Sequence, residues 1–160
     1  IQRIISSNDN CLVNISSKEI SIHDENKISA LHTVVNDLIR ESEIADNVVK
    51  YTRFVIEKDI DFSEHVYKSI GELRNLLSEQ FNNVEKILIE KDYSVLNKVV
   101  EIEEKIDNMR TDLIDGHIKR LEEGKCKPQS SGVFINLISN LERAGDHLNY
   151  IVDVWSNKGR

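Results

Sequence analysis

Lys27-Ile-Ser-Ala-Leu-His-Thr-Val-Val-Asn-Asp-Leu-Ile-Arg-Glu-Ser-Glu-Ile-Ala-Asp-Asn-Val-Val-Lys-Tyr-Thr-Arg-Phe-Val-Ile-Glu-Lys58 decides the fold class. Ile28, Leu31, Val35, Leu38, Ser42, Ala45, Val49, Thr52 and Ile56 keep a strict 3,4 spacing. That period lays one stripe along a helix, and nothing in the stretch alternates as a half-buried strand would. No proline or glycine interrupts it, so the spacing predicts one long helix over residues 27–58 with this stripe as its buried face.

Three further stripes lie downstream. Phe62, Val66, Ile70, Leu73, Leu77, Phe81, Val84 and Leu88 predict a helix over 62–90, with Ser63 or Asp61 as N-cap. Asp92-Tyr-Ser94 marks a break, after which Val95, Val99, Ile102, Ile106, Met109 and Leu113 predict a helix over 94–123. Phe134, Leu137, Ile138, Leu141, Leu148, Ile151 and Trp155 predict the last helix over 128–156, with Met109 and Trp155 as core residues. Gly124-Lys-Cys-Lys-Pro128 is a turn, with glycine at a helix end and proline at the next start. Short connections make the helices antiparallel neighbours. The expectation is therefore an all-α antiparallel helical bundle over residues 27–160. Residues 1–26 read as the end of a truncated preceding helix and a connecting segment: Ser6-Ser-Asn-Asp-Asn10 resembles a break, and Ser21-Ile-His-Asp24 a capping box.

Composition narrows the function. The chain has 160 residues, the size of one domain, and carries 28 acidic against 21 basic residues for a net charge of -7. No basic cluster suits a phosphate backbone, so nucleic acid is not an expected partner. The longest apolar runs are three residues, far short of the ~20 that cross a bilayer. Cys11 and Cys126 form no C-x-x-C pair, which argues against a zinc ribbon or thioredoxin-type motif and for free thiols in a reducing compartment.

Two stretches repeat one pattern, an acid followed four residues later by another: Glu103 to Asp107, and Glu142 to Asp146. Each pair shares one helix face, where like charges repel. In an antiparallel hairpin, residues equidistant from the turn face each other. The pairs centre on residues 105 and 144, on either side of the Gly124–Pro128 turn, so all four acids stand at one height on the flank of the groove. Oxygen-only donors of this kind suit hard cations such as magnesium, calcium, manganese or ferric iron. The plain alternative is a solvated acidic face. Arg143 is placed to neutralise neighbouring acids, and His147 either supports a ligand or is a hydrogen-bonded structural residue. His117 and Arg120 lie close to the helix end and are candidates to cap it.

His117-Ile-Lys-Arg-Leu-Glu-Glu-Gly-Lys-Cys126 and Ser131-Gly-Val-Phe-Ile-Asn-Leu-Ile-Ser-Asn-Leu-Glu-Arg-Ala-Gly-Asp-His147 closely resemble the PhoU-like domain appended to bacterial sodium/phosphate cotransporter family proteins. The resemblance implies tandem three-helix repeats with acid pairs on the second and third helix of each, and metal held by such pairs. Residues 62–156 then correspond to one complete repeat, preceded by the last helix of another. It assigns Glu103, Asp107, Glu142 and Asp146 as metal residues for iron, magnesium, manganese or calcium. Where the earlier repeat would carry its own pair, this chain has Ile39 and Glu43. The resemblance further implies a non-catalytic domain on the cytoplasmic side of a membrane that regulates phosphate transport. Its implied partners are an upstream transmembrane transporter and a second copy of itself, as a homo-oligomer. A free-standing PhoU-type regulator and a metal-free oligomerisation scaffold are the alternatives. A di-iron oxidase is excluded on the residues themselves, because no histidine follows a glutamate by three positions.

Overall fold

The computed structural model describes residues 2–126 and 128–158. Among these the protein is all-helical, with no strand. Five α-helices follow one another: α1 (Gln2–Ser16), α2 (Ile22–Glu57), α3 (Glu64–Glu85), α4 (Leu96–Glu122) and α5 (Pro128–Lys158). Helix α5 is the hub. It packs against α2, α3 and α4, while α3 also packs on α4 and α1 lies along α2. The four-helix bundle expected from the stripes is thus present, with α1 as an additional element.

Local chemistry explains the boundaries. The Ser21 hydroxyl accepts from the Asp24 amide at 3.2 Å and donates to the Asp24 carboxylate at 2.7 Å, so α2 begins at Ile22, directly behind its cap and five residues before the apolar stripe suggested. Ser63 caps α3 by accepting from the Val66 amide. Helix α3 gives way to a π-helical turn at Lys86–Glu90, so the expected single helix over 62–90 has two parts. The wider turn brings Ile87 inside completely and Leu88 against the same core, and Lys91 then reverses the chain at φ 58°. Asp92 caps the following 3₁₀ turn at Tyr93–Val95 through the Ser94 amide at 3.0 Å. Gly124, at φ 68°, closes α4: the Lys125 amide reaches back to the Arg120 carbonyl at 2.8 Å and that of Gly124 to Leu121 at 3.0 Å.

The Ser6–Asn10 stretch is helical, contrary to the expected break. These residues are poor helix formers, and burial of Leu12 against the bundle overrides their local preference.

The core divides along the bundle. One cluster joins Val34, Val84, Ile87, Val99, Leu148, Ile151 and Val152, with Trp155 packed against it. The other joins Val66, Leu73, Ile102, Ile106, Leu113, Phe134 and Ile138, with Met109 at its edge. The stripes of α4 and α5 face these cores as expected. On α3 the stripe fails at one point: Phe81 is exposed while its neighbour Gln80 is fully buried. Gln80 donates from Nε2 to the Gly145 carbonyl at 3.1 Å, a bond that ties α3 to α5 and satisfies part of the buried amide.

The largest correction concerns α2. Its buried residues include Ile28, Ala30, Val34, Asp37 and Ile44, whereas Leu38, Val49 and Ile56 of the expected face are exposed. The helix is turned by one residue, about 100°. The face that enters the bundle brings two carboxylates with it, Asp37 and the half-buried Glu41.

Candidate functional site

The acid pairs lie beside the tight packing of α5 Gly145 on α4 Ile106. Ile102 and Ile106 anchor α4 to the core, and Ala144 and Leu148 do the same for α5. Between Glu142 and Asp146 stands Gly145. A Cβ added there would meet Ile106 Cδ1 at 3.2 Å and Gln80 Oε1 at 3.4 Å, so glycine is what permits the approach. With the anchors pointing inward, the acids fall on the flank: Glu103 and Glu142 are half-buried, Asp107 and Asp146 exposed.

Electrostatic influence crosses from one pair to the other. Burial raises the carboxyl of Glu103 above the usual carboxylate range, and the negative charges of Asp146, Asp107 and Glu104 raise it further. Burial likewise raises Glu142, as do Asp146 and Asp107, against the opposing pull of Arg110 and Arg143. Each raised acid therefore feels carboxylates from both helices. Arg110 Nε lies 3.7 Å from Glu142 Oε1. The neutralising role expected of Arg143 falls first to Arg110, because Arg143 points to solvent.

Asp37 adds a carboxylate from α2. It is 7% exposed, its Oδ1 lies 2.9 Å from His147 Nδ1, and its Oδ2 is buried with no hydrogen-bond partner. His147 thus has the structural hydrogen-bonding role that was one of its two readings. Glu41, a turn further along α2, is pushed up to about 7 by burial and by the Asp37 charge. Asp37, Glu103, Asp146, His147 and Asp153 line one groove of about 530 Å³, together with Asn149 and Tyr150.

Sequence reasoning missed Asp37 and Glu41. The signal was an apolar stripe one residue out of phase with the expected one, through Val34, Ile44, Val48 and Val55. Glu43 stays apart from the groove, in an exposed ion pair with Arg40 at 2.7 Å.

Two acid pairs on adjoining helices, with Glu103 and Glu142 raised by their neighbours' charge, have the oxygen donor chemistry of a hard-cation site. Among the described residues, however, no three histidine, cysteine, aspartate or glutamate side chains are drawn into a metal-holding cluster. The arrangement offers acid oxygens on a face, with Arg110 beside them, rather than a closed shell.

His117 lies near the end of α4 as expected, but its side chain is buried between helices and does not cap the helix. It is 3% exposed, bridges α4 to α5 through a 2.9 Å hydrogen bond between Nε2 and Ser131 Oγ, and stacks on Phe134 with ring centroids 4.6 Å apart.

The fold is thus an all-α bundle with an acid pair on each of two adjacent helices, packed closely at Gly145. The PhoU domain model matches residues 70–154, and the chain belongs to that family. A curated relative, the phosphate-specific transport system accessory protein PhoU homolog 1 of Thermotoga maritima, is 25% identical over 121 residues. The match covers 74% of this chain and 50% of the relative, so the chain spans about half the length of that protein. No solved structure matches significantly. No helix among the described residues is long and apolar enough to cross a membrane.

Proposed function

We propose that this chain is a regulatory domain of phosphate transport that acts by binding and has no turnover of its own. The observation that supports this reading is the placement of the acid pairs Glu103/Asp107 and Glu142/Asp146 on the adjoining flanks of α4 and α5, inside the segment that matches the PhoU domain. These four residues would hold a hard cation, iron, magnesium, manganese or calcium, whose charge would remove their mutual repulsion. Arg110 offsets part of the repulsion around Glu142, Gly145 holds the two helices at the necessary distance, and the Asp37–His147 pair fixes α2 alongside.

The working partner in this reading is a membrane transporter, engaged from the cytoplasmic side. The chain would be either the regulatory domain of a sodium/phosphate cotransporter-like protein or a free-standing PhoU-type regulator. The name of the Thermotoga relative, an accessory protein of a transport system, supports the second. Exposed Leu38, Val49 and Ile56, in register on one side of α2, offer an apolar helix face for contact with that partner or with a second copy, which supports the homo-oligomer. The test is phosphate uptake in cells that lack the gene for the full-length protein. Loss of phosphate-dependent control of uptake, restored by the wild-type gene, is the expected result, and unchanged control would overturn the proposal.

A further inference from the structure

The turn motif between α4 and α5 lies far from the acid face and has no part in the function proposed above. Its residues nevertheless line one cavity. Cys126, Lys125, Arg120 and His117 come from the end of α4 and the turn, Ser130 from the first turn of α5, and Lys58 to Ser63, with Val66, from the α2–α3 connection. The volume is about 390 Å³, enough for a small metabolite.

Arg120 is the reason to look for a ligand. Its Nη2 is shut off from solvent and has no hydrogen-bond partner among the described residues. A buried guanidinium N–H left without an acceptor is costly, and a carboxylate or phosphate presents the planar pair of oxygens that it fits. Lys125 is committed to Glu123 at 2.8 Å, which leaves Lys58 as the second cation of the wall. Helices α3 and α5 both begin at this cavity, and their N-termini add positive potential. Burial and the adjacent Arg120 hold His117 below the usual imidazole range, so its ring is neutral near pH 7 and forms part of the wall with Phe62 and Val66. Asp59 and Asp61 line the cavity as well, and their carboxylates suit hydroxyl donors and disfavour a ligand that is anionic throughout.

We propose that this cavity binds a small hydroxylated organic anion, its phosphate or carboxylate head on Arg120 and Lys58 and its hydroxyl groups toward Asp59 and Asp61. The inference is independent of the regulatory reading, since it uses none of the acid-face residues.

Calorimetric titration with ribose 5-phosphate, gluconate, inorganic phosphate and ribose tests it on the purified protein, with amide chemical shifts to locate the binding. Saturable binding of ribose 5-phosphate or gluconate is expected, tighter than inorganic phosphate, with none for ribose, and with shifts centred on residues 117–126. Whichever of the two binds tells a phosphate ligand from a carboxylate one. Arg120→Gln should weaken the binding about tenfold or more. Lys58→Gln, at the chain surface, should weaken it severalfold, and serves if Arg120→Gln does not fold. Absence of binding by every anion up to about 10 mM, affinity unchanged in both variants, or shifts centred on the acid face would overturn the proposal.

Discussion

His147 Nδ1 stands 2.9 Å from Asp37 Oδ1, so the histidine that follows the α5 acid pair is held by a carboxylate from α2, 110 residues earlier in the chain. This contact is a polar tie between α2 and the α4–α5 acid face, beside the Asn47–Asn140 bond further along α2. Asp37 is nearly inaccessible and its second oxygen has no partner, which makes the histidine essential to it. His147→Ala should therefore cost about 1–3 kcal/mol in chemical denaturation, because it strands a buried carboxylate. The double variant Asp37→Leu/His147→Leu should recover most of that loss. A double variant as unstable as the single one would show that the tie is not what His147 supplies.

Glu41 gives the same seam a pH signature. Its ordinary value of 4.5 rises to about 7 in the folded protein, so the native state holds the proton more tightly than the unfolded chain. The resulting stability is fully present below about pH 4.5, declines as pH rises toward 7, and is gone above it. Other acids slope the opposite way, so the informative quantity is the difference between wild type and Glu41→Gln. The variant should be relatively more stable at pH 8 than at pH 5, as measured by urea denaturation at both. An equal difference at the two pH values would place Glu41 in solvent.

Gly145 and Gly132 lie on the same helix in different surroundings. Ala at position 132 meets open space, and the variant Gly132→Ala should gain about 0.5–1 kcal/mol from helix propensity alone. At position 145 the new methyl presses on Ile106, which is 1% exposed and cannot move aside, so Gly145→Ala should forfeit that gain and lose stability. Thermal melts of the two variants side by side decide the matter, and equal gains would remove the close-approach argument.

The rotation of α2 is testable in the same way. Ile44→Ala should cost about 2–4 kcal/mol, whereas Val49→Ala on the exposed face should stay within about 0.5 kcal/mol. The reverse order would restore the stripe first read from the sequence.

That stripe shows where sequence reasoning reached and where it stopped. Helix α2 carries apolar residues in adjacent pairs, Val34-Val35, Ile44-Ala45, Val48-Val49 and Val55-Ile56. Two stripes 100° apart are then equally periodic, and the one containing Leu38 looks better than the one containing Asp37 and Glu41, because acids seldom enter a core. The tertiary packing of α5 selected the acidic one, and with it a residue of the groove that no local pattern could place. On α4 and α5 the apolar residues are spaced singly, only one inward face is available, and the flank position of the four acids followed from it. Gly124 and Pro128 marked their turn because backbone geometry alone requires them there. Gln80 was illegible for a different reason: its burial depends on a carbonyl 65 residues away.

Metal content addresses the acid face by itself. Protein purified without a chelating column should carry a hard cation, and Glu142→Ala/Asp146→Ala should lower both its metal content and its melting temperature, while Glu43→Ala should change neither. Unchanged stoichiometry in the double variant would reject Glu142 and Asp146 as ligands.

The most direct test of the regulatory reading is phosphate uptake in cells whose own copy of the gene is replaced by Glu142→Ala/Asp146→Ala, with the folded state of the variant verified by circular dichroism. The account predicts that uptake no longer responds to external phosphate, as in cells without the gene. Normal phosphate control in cells carrying this folded variant would contradict it.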